Sequence, residues 1–398
     1  MKSYTSDRLR NVVLMGHGGA GKTTLGEAML LASGAITRLG SVDDGTTVAD
    51  YDEEEHNHRY SISAALLAIE WDNSRINLID APGYADFEGE IVSGTRAADS
   101  ALIVVDASSG VQGGTELAWE RADEAGLPRI FVVTRLDREN ASFVQAVDSL
   151  REAFGKKVVP LGLPVRGPDG QLIGFHDLRS EKDAPDGIVG DLNAAREIMI
   201  ESVAETDDEL LAKYLDGEEL TREEITTALH HAIESGEVVA VVPTCAPAGV
   251  GIEGVLNNIV NLMPSPLGRE HALTEGSVTT AADGELVVQV FKTIADPFVG
   301  HLSFMKVLSG TFPASMSPFN TRSNSTERLG HLFVQRGKEQ MEVDELVAGD
   351  IGVAAKLTDT HTGDTLVASA DHAVEAMPLP FPVPTYRTAL HSAPARTT

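Results

Sequence analysis

The stretch NVVLMGHGGAGKT, residues 11–23, places a short apolar run directly before a glycine-rich turn. The run is typical of a buried parallel strand, because such strands read as continuous rather than alternating hydrophobic residues. From Gly21 onward apolar residues recur at helical spacing, and Gly34 stands just past the last of them. The stretch therefore predicts a strand, a tight turn and a helix in that order, which is how an α/β fold begins.

The turn matches the pattern G-x-x-x-x-G-K-[ST], which binds the phosphates of nucleotides. Glycines allow backbone N–H groups to converge on a phosphate, and the start of the helix adds a partial positive charge. Lys22 is expected to reach the β- and γ-phosphates and to act in catalysis, and the Thr23 hydroxyl is expected to ligate Mg²⁺. The alternative, a turn without a ligand, is disfavoured because all four fixed positions occur between a strand and a helix. The predicted nucleotide contacts in this loop are Gly16, His17, Gly18, Gly19, Ala20, Gly21, Lys22, Thr23 and Thr24.

A second phosphate-sensing element is predicted at DAPG, residues 80–83, which follows the apolar run RINLID. An Asp at a strand end can hold Mg²⁺ through water, and the Gly83 N–H can sense the γ-phosphate. Taken alone, D-x-P-G is often an ordinary turn, because Pro and Gly favour turns anyway. The phosphate loop upstream favours the functional interpretation, with Asp80 as a metal and nucleotide contact and Gly83 in the catalytic set.

A base-reading site is predicted where the run RIFVV ends, at Thr134, Arg135 and Asp137. A carboxylate there can accept from both the ring N–H and the exocyclic amine of guanine, a pair that adenine does not offer. The alternative is a charged loop after a strand. Cys245 and Ala246 follow the next apolar run, VVAVVP, where a backbone N–H can meet the guanine carbonyl, although small residues are the only signal there.

The remaining pattern predicts an α/β domain followed by an all-β domain. Strands alternate with helices over residues 1–275, which indicates a doubly wound, mostly parallel sheet. The rhythm changes at about residues 158–240, where a Gly/Pro-rich strand region and two acidic helices predict an inserted α+β subdomain. Short strands with glycine-rich turns over residues 284–375 predict a small β barrel.

The amino-acid composition limits the kinds of binding partner to be expected. With 31 Lys and Arg against 60 Asp and Glu, the net charge of −29 argues against general nucleic-acid affinity, and DNA is not expected as a partner. Docking on a ribonucleoprotein through local basic patches remains open. No apolar run approaches the ~18 residues needed to span a membrane, so no membrane partner is expected. The single cysteine and the absence of a signal-peptide pattern predict a cytoplasmic protein.

Together these motifs resemble the translational GTPases, and most closely elongation factor G. Other stretches that are similar to that family are WDNSRINLIDAPGYADFEGEI, RLDRENASF, YLDGEELTREEI, LMPSP, FKTIADPFVGHLSFMKVLSGTF and HTGDTL. The resemblance covers nearly the whole chain. It implies a P-loop G domain and a second, barrel domain, with GTP/GDP and Mg²⁺ as cofactors. It also implies the ribosome as partner of a monomer, and residues 376–398 as the start of a truncated third domain.

Several positions depart from the family pattern. Thr134 and Arg135 stand where the family usually has Asn and Lys; the hydroxyl can still form a hydrogen bond and the Arg stem can still cover a base, so weaker guanine binding is expected. Ser61 falls where the family carries a Mg²⁺-binding Thr and keeps the oxygen, so the expected metal ligands are Thr23, Ser61 and Asp80. The segment DEEEHNH, residues 52–58, lacks the family's Arg-Gly pattern and is expected to be a solvated loop.

Tyr84 is the sharpest departure, because the family typically has a His there to align the attacking water. A tyrosine hydroxyl forms hydrogen bonds but carries no positive charge near neutral pH. Tyr84 is therefore assigned to the catalytic set as an influence on water placement, with packing in a hydrophobic gate as the alternative. Such a residue is typical of a branch of elongation factor G paralogues.

Three functional hypotheses follow from these residues. The leading one is a Mg²⁺-dependent GTPase acting at the ribosome, slow without it. The second is a nucleotide-gated binding module that hydrolyses poorly, favoured by Tyr84 and Thr134. The third is an ATP-using P-loop enzyme, against which Asp137 argues.

Overall fold

The computed structural model describes residues 2–180, 182–296, 300–384, 386, 388 and 389. Its first part alternates strands and helices, as the sequence predicts. In chain order the elements are β1 Leu9–Gly16, α1 Lys22–Ala32, α2 Glu53–His58, β2 Ala65–Trp71, β3 Ser74–Asp80, α3 Glu88–Ala97, β4 Ser100–Asp106, α4 Gly113–Glu124, β5 Arg129–Thr134, α5 Phe143–Phe154, β6 Val158–Pro160, β7 Gly162–Arg166, β8 Leu172–Asp177, α6 Leu192–Ala204, α7 Asp208–Leu215, α8 Arg222–Ser235, β9 Val239–Pro243 and α9 Ile252–Leu262.

The central sheet has the order β2-β3-β1-β4-β5-β9-β6. Only the β2–β3 pair is antiparallel in this set, and the other neighbours are parallel. Register brings the carboxyl ends of the parallel strands to one edge: Leu14 pairs with Asp80, and Asp106 pairs with Thr134. Ligands of open α/β sheets bind at this edge, so the fold assembles the predicted site residues there.

Helices cover both faces of this sheet. A Cβ added at Gly26 of α1 would meet the side chain of Leu78, 3.7 Å away, whereas one at Gly94 of α3 would meet Ile79, 3.3 Å away. Neighbouring residues of a strand point to opposite faces, so α1 and α3 lie on opposite sides of β3. The predicted doubly wound α/β fold is confirmed, and no helix among the described residues is both long and apolar enough to cross a bilayer.

The insertion is narrower and more helical than expected. β6 pairs in parallel with β9 at the edge of the central sheet, so the expected insertion at about residues 158–240 includes two strands of that sheet. Between them lie the antiparallel β7–β8 hairpin and the helices α6, α7 and α8, where the sequence predicted only two helices. A capping box begins α8: the Thr221 side chain accepts from Glu224 N–H, and the Glu224 side chain accepts from Thr221 N–H.

Beyond Gly284 the regular structure of the described residues is β apart from one helical turn at Ala370–His372, as predicted. Two short strands precede this region, β10 Glu270–Ala272 and β11 Ser277–Thr279. The strands within it are β12 Val287–Asp296, β13 Gly300–Ser309, β14 Phe312–Pro313, β15 Phe319–Asn320, β16 Ser325–Thr326, β17 His331–Arg336, β18 Glu339–Glu342, β19 Glu345–Leu346, β20 Ile351–Ala355 and β21 Thr365–Val367. We call β12–β21 the β module. Its strand pairs are antiparallel and enclose a core that includes Val288, Met305, Phe312 and Leu332.

The β module is joined to the central sheet through backbone hydrogen bonds. β17 pairs with β2 at Arg336 and Leu67, and the Gly337 N–H donates to Leu66 O at 2.8 Å. The expected third-domain start, residues 376–398, forms neither a helix nor a strand where it is described, and residues 390–398 lie outside the described residues.

Candidate functional site

The glycine-rich turn between β1 and α1 has the conformation that a phosphate loop requires. Gly16 has φ +135°, and a Cβ there would collide with Val104 O. Gly21 has φ +97° at the N-cap of α1. Only glycine adopts such angles without strain, so these two positions are fixed by the backbone itself. Lys22, Thr23 and Thr24 form the first turn of the helix.

Lys22 is buried beneath this loop. Its Nζ donates to Gly16 O at 3.0 Å and to His17 O at 3.1 Å. Burial lowers the pKa of Lys22 to about 8, although the carboxylates of Asp80 and Asp50 act in the opposite direction. The His17 ring turns away toward α4, where its Nδ1 accepts from the Gly114 N–H at 3.2 Å. His17 therefore contributes to the loop's support.

The side chains expected to hold a metal lie together next to Lys22. Thr23 Oγ1 and Ser61 Oγ are 3.1 Å apart. Asp80 is 1% exposed, and neither of its carboxylate oxygens has a hydrogen-bond partner among the described residues. Burial, and then the Asp50 carboxylate, raise the pKa of Asp80 to about 7, although the nearby Lys22 ammonium and Thr23 hydroxyl lower it. Unpaired buried carboxylates beside two hydroxyls are a donor set that suits Mg²⁺.

Asp50 is a member of this group that the sequence analysis missed. It is 3% exposed, burial raises its pKa, and its Oδ2 has no partner among the described residues. Nothing in the sequence separates Asp50 from the exposed acids that follow it in the chain. Only the fold shows that this carboxylate lies near Lys22 and Asp80.

The DAPG turn rests directly on the phosphate loop. A Cβ at Gly83 would lie 2.8 Å from Gly18 N and 2.9 Å from Gly16 O, so a larger residue would push the two backbones apart. This contact places the Gly83 backbone beside the groups that would surround a γ-phosphate. The absence of a side chain at Gly83 thus lets this turn lie directly against the phosphate loop.

Tyr84 follows this turn and lies across the loop. A Cβ at Gly18 would be 2.8 Å from Tyr84 Cζ, and the Tyr84 ring is 42% exposed. Its centroid is 4.9 Å from that of Tyr60, which is 6.1 Å from Phe87. The ring therefore packs in an aromatic cluster while its hydroxyl-bearing end reaches the phosphate loop, an arrangement compatible with both interpretations of this residue.

The expectation of a loop over residues 52–58 is wrong, because this segment forms α2. Glu55, 3% exposed, explains the helix. Its Oε2 accepts from the N–H groups of Tyr51 and Asp52 at 3.0 and 3.1 Å. Its Oε1 accepts from those of Ile62 and Ser63 at 3.0 and 3.1 Å. One carboxylate thus caps the helix and holds the segment that carries Ser61.

At the base-reading side, Thr134 and Arg135 support the phosphate loop. The Thr134 hydroxyl donates to Ala20 O at 2.7 Å. Arg135 adopts φ 59° and forms an ion pair with Asp106 at 3.0 Å. A Cβ added at Gly21 would lie 3.6 Å from Arg135 Nε. The Arg stem therefore covers the loop where the family usually has Lys.

Asp137 is exposed and lies beside Cys245, which is buried. Burial raises the pKa of the Cys245 thiol to about 11, and Asp137 contributes a further increase. The Cys245 N–H donates to Val250 O at 2.9 Å, so this N–H is already used within its own turn. The two loops are neighbours because β5 and β9 pair in parallel.

A cavity of ≈490 Å³ opens between these elements. Of the predicted residues, those that line it are Gly18, Gly19, Gly21, Lys22, Thr23, Thr24, Ser61, Gly83, Tyr84 and Arg135. The predicted residues outside this lining are Gly16, His17, Ala20, Asp80, Thr134, Asp137, Cys245 and Ala246. The structure therefore brings most of the predicted phosphate contacts, with Thr23 and Ser61, to one cavity, whereas Asp80 and Asp137 do not line it.

Comparison with known families decides what kind of site this is. The model of the elongation factor Tu GTP binding domain matches residues 7–265, well over half of the chain. The chain belongs to this GTP-binding elongation factor family. A second model, elongation factor G domain 2, matches residues 285–369, which contain the whole β module. The predicted membership in the translational GTPases is confirmed, guanine nucleotide is the kind of ligand, and an ATP-using enzyme is not favoured.

Two relatives agree with this family. The elongation factor G-like protein of Mycobacterium tuberculosis is 36% identical over 399 residues, which cover 91% of this chain and 55% of the relative. A crystal structure of a Thermus thermophilus protein superposes with a TM-score of 0.80 at 35% identity, covering 91% of this chain and 54% of that one. The chain thus spans about half the length of the relatives it matches.

Proposed function

We propose that this translational GTPase chain binds GTP and GDP with Mg²⁺, hydrolyses GTP slowly alone, and acts on the ribosome in the cytoplasm as a monomer. The observation that carries the proposal is the contact between the Gly83 backbone and the phosphate loop, beside the unpaired carboxylate of Asp80. That contact makes one site of two motifs far apart in sequence. Residues 1–275 would form the G domain, residues 284–375 the barrel domain, and residues from 376 the start of a third.

The phosphate side assigns roles as follows. The loop N–H groups around Gly18 and Gly19 would bind the phosphates, and Lys22 would move from its loop carbonyls to the β- and γ-phosphate oxygens. Thr23, Ser61, Asp80 and Asp50 would hold Mg²⁺ directly or through water. When bound, Mg²⁺ supplies neutralisation of the charge on the phosphates.

Hydrolysis needs an aligned water, and the residue placed to affect it is Tyr84. Its ring end lies against Gly18, where a γ-phosphate would be bound. The hydroxyl can orient a water by one hydrogen bond but adds no positive charge. Related switch GTPases turn over at ~10⁻⁴ s⁻¹ alone and are accelerated as much as ~10⁵-fold by a partner, so we expect slow intrinsic turnover.

The base side would provide guanine selectivity through Asp137, with the Arg135 stem covering the base. Because the Cys245 N–H already bonds Val250 O, the contact with the guanine carbonyl would come from Ala246. Asp137 is exposed, so its hydrogen bonds to the base compete with water and selectivity is expected to be modest.

The test is nucleotide binding and turnover by the purified chain. A fluorescent GDP analogue should bind in a Mg²⁺-dependent manner and be displaced by GTP far better than by ATP. Single-turnover GTP cleavage should be slow and should rise when ribosomes are added. Failure to bind GDP with Mg²⁺ would overturn the proposal, and binding without any ribosome-stimulated cleavage would leave a nucleotide-gated binding module, which the family does not favour.

A further inference from the structure

The segment that carries Ser61 is held from the β module by a buried lysine. Lys292 of β12 is 6% exposed. Its Nζ donates to Ser63 Oγ at 2.6 Å, to Ala64 O at 2.8 Å and to Glu90 Oε2 at 2.7 Å. An ammonium has three donors, so every one of them is used. A long side chain from another part of the fold thus ends on two G-domain segments.

Both segments belong to the proposed nucleotide site. Ser63 and Ala64 follow Ser61, whose hydroxyl lies 3.1 Å from that of Thr23. Glu90 is in the first turn of α3, the helix that follows Tyr84. The same Glu90 oxygen accepts from the Ala64 N–H at 2.7 Å. Lys292 therefore binds the carbonyl of Ala64, and Glu90 binds its N–H.

The other side of this segment is fixed by Glu55, which accepts from the N–H groups of Ile62 and Ser63. Glu55 belongs to the G domain, so its grip does not depend on the β module. Among the described hydrogen bonds of residues 61–64, those to Lys292 are the ones that come from the β module. Removing a buried charge leaves its partner uncompensated, so the loss of Lys292 would loosen Glu90 and Ala64 together.

We propose that Lys292 is a positioning residue for the nucleotide site, which holds Ser61 and the Tyr84 helix in register from the β module. This inference rests on the proposed function. Because coupling between two sites is reciprocal, nucleotide that orders this segment would also tighten the β module's hold on the G domain. The contact gives that coupling a specific route.

A second buried lysine provides a matched control. Lys306 of β13 also crosses from the β module, and its Nζ donates to Asp99 Oδ1 at 2.6 Å. Asp99 precedes β4 and also contacts Arg269 and Asn11. None of the hydrogen bonds of Lys306 or Asp99 among the described residues reaches residues 61–64. The loss of Lys306 would therefore weaken the contact between the β module and the central sheet without removing a hydrogen bond of residues 61–64.

The experiment compares Lys292→Met, Lys292→Arg and Lys306→Met in the full chain. Affinity is measured for GDP and for a non-hydrolysable GTP analogue, with and without Mg²⁺. We expect Lys292→Met to weaken the Mg²⁺-dependent binding of the GTP analogue about 10-fold more than that of GDP. Lys292→Arg should restore most of the difference, and Lys306→Met should lower the unfolding midpoint while leaving the ratio of affinities unchanged.

Amide hydrogen exchange supplies a readout that needs no nucleotide. The Ala64 N–H, which donates to the Glu90 oxygen that Lys292 contacts, should exchange faster in Lys292→Met than in Lys306→Met. If Lys292→Met fails to fold, Glu90→Gln, which keeps an acceptor but removes the charge, should shift the ratio in the same direction. Equal ratios in the Lys292 and Lys306 variants, with wild-type binding intact, would overturn the role of Lys292 alone. A wild-type chain without Mg²⁺-dependent GDP binding would overturn the proposed function and this inference together.

Discussion

The proposed phosphate side of the site, residues 16–24 and 80–84, and its proposed base side, residues 134–137 and 244–246, are built differently. The phosphate side depends on backbones that only glycine allows to touch, with Lys22 and Asp80 buried between them. The base side depends on the exposed Asp137 and on a turn whose Cys245 N–H is already bonded. Steric constraint thus defines one half, and individual side chains define the other. Substitutions should therefore be far more costly on the phosphate side.

The largest effect is expected for Gly83→Ala. A Cβ at this position would lie 2.8 Å from Gly18 N and 2.9 Å from Gly16 O, so the DAPG turn must move off the loop. We expect GDP affinity to fall by roughly 10³-fold, since each ~1.4 kcal/mol is tenfold. Equilibrium titration with a fluorescent GDP analogue measures this.

Gly89→Ala is the control for that substitution. Its Cβ would meet only the Phe381 ring, at 3.7 Å, inside α3, and Ala is a better helix former than Gly. Binding should therefore be unchanged and stability equal or higher. Equal losses in both variants would mean that close approach at Gly83 does not matter.

Asp80→Asn should separate the role of this buried carboxylate in binding from its effect on the free energy of unfolding. Burial raises the pKa of Asp80 from 3.8 to about 7, so the folded chain holds a proton over this range that the unfolded chain has lost. Because the unfolded chain ionises first, the free energy of unfolding falls as the pH rises from 3.8 to about 7, and the loss is complete above that range. Without nucleotide, the free energy of unfolding of the variant should exceed that of wild type at pH 8 by about 1 kcal/mol or more. Near pH 4 the two should be equal.

The same variant should lose Mg²⁺-dependent GDP affinity by about 100-fold, because an amide replaces a charged acceptor. Melting curves at several pH values measure the change in stability, and a Mg²⁺ titration measures the change in GDP affinity. A variant that is less stable than wild type at pH 8 would contradict the account of Asp80 as a buried carboxylate whose ionisation destabilises the fold.

Asp137→Asn tests the base side with a change of the same chemistry. We expect the preference for GDP over ADP to fall by about tenfold, because hydrogen bonds to an exposed carboxylate compete with water. The midpoint of unfolding should stay within the error of wild type. Competition of GDP and ADP for one fluorescent probe measures the preference, and an unchanged preference would remove Asp137 from the site.

The smallest effect is expected at Cys245. Its thiol has a pKa of about 11, so at pH 8 it should react with iodoacetamide ~100-fold more slowly than a free thiol. Cys245→Ala should change GDP affinity by no more than about threefold, because the contact proposed here uses a backbone N–H. Fast alkylation of the folded chain would show that the turn at β9 opens.

The sequence predicts best where local chemistry decides. The strand, turn and helix around Lys22 require particular residues at particular spacings, and all three are present. The family resemblance rests on these same motifs. Their prediction needs no knowledge of distant contacts.

Errors arise where distant residues decide. β6 is only three residues long and becomes a strand through pairing with β9, across the whole insertion. Glu55 looks like one acid among several until the fold buries it against Ile62 and Ser63. Asp50 lies in no motif, and Lys292 lies in a family-like stretch that gives this lysine no role, so only their burial beside the site reveals them.

The backbone link between β17 and β2 has a consequence for how the molecule can be divided. β2 is the outermost strand of the central sheet, and Leu66 O and Ala68 O are capped by Gly337 and Arg336. A G domain produced without the β module would present an open hydrogen-bonding edge to other chains, which invites self-association. The β module thus covers a strand edge that would otherwise be open to pairing with other chains.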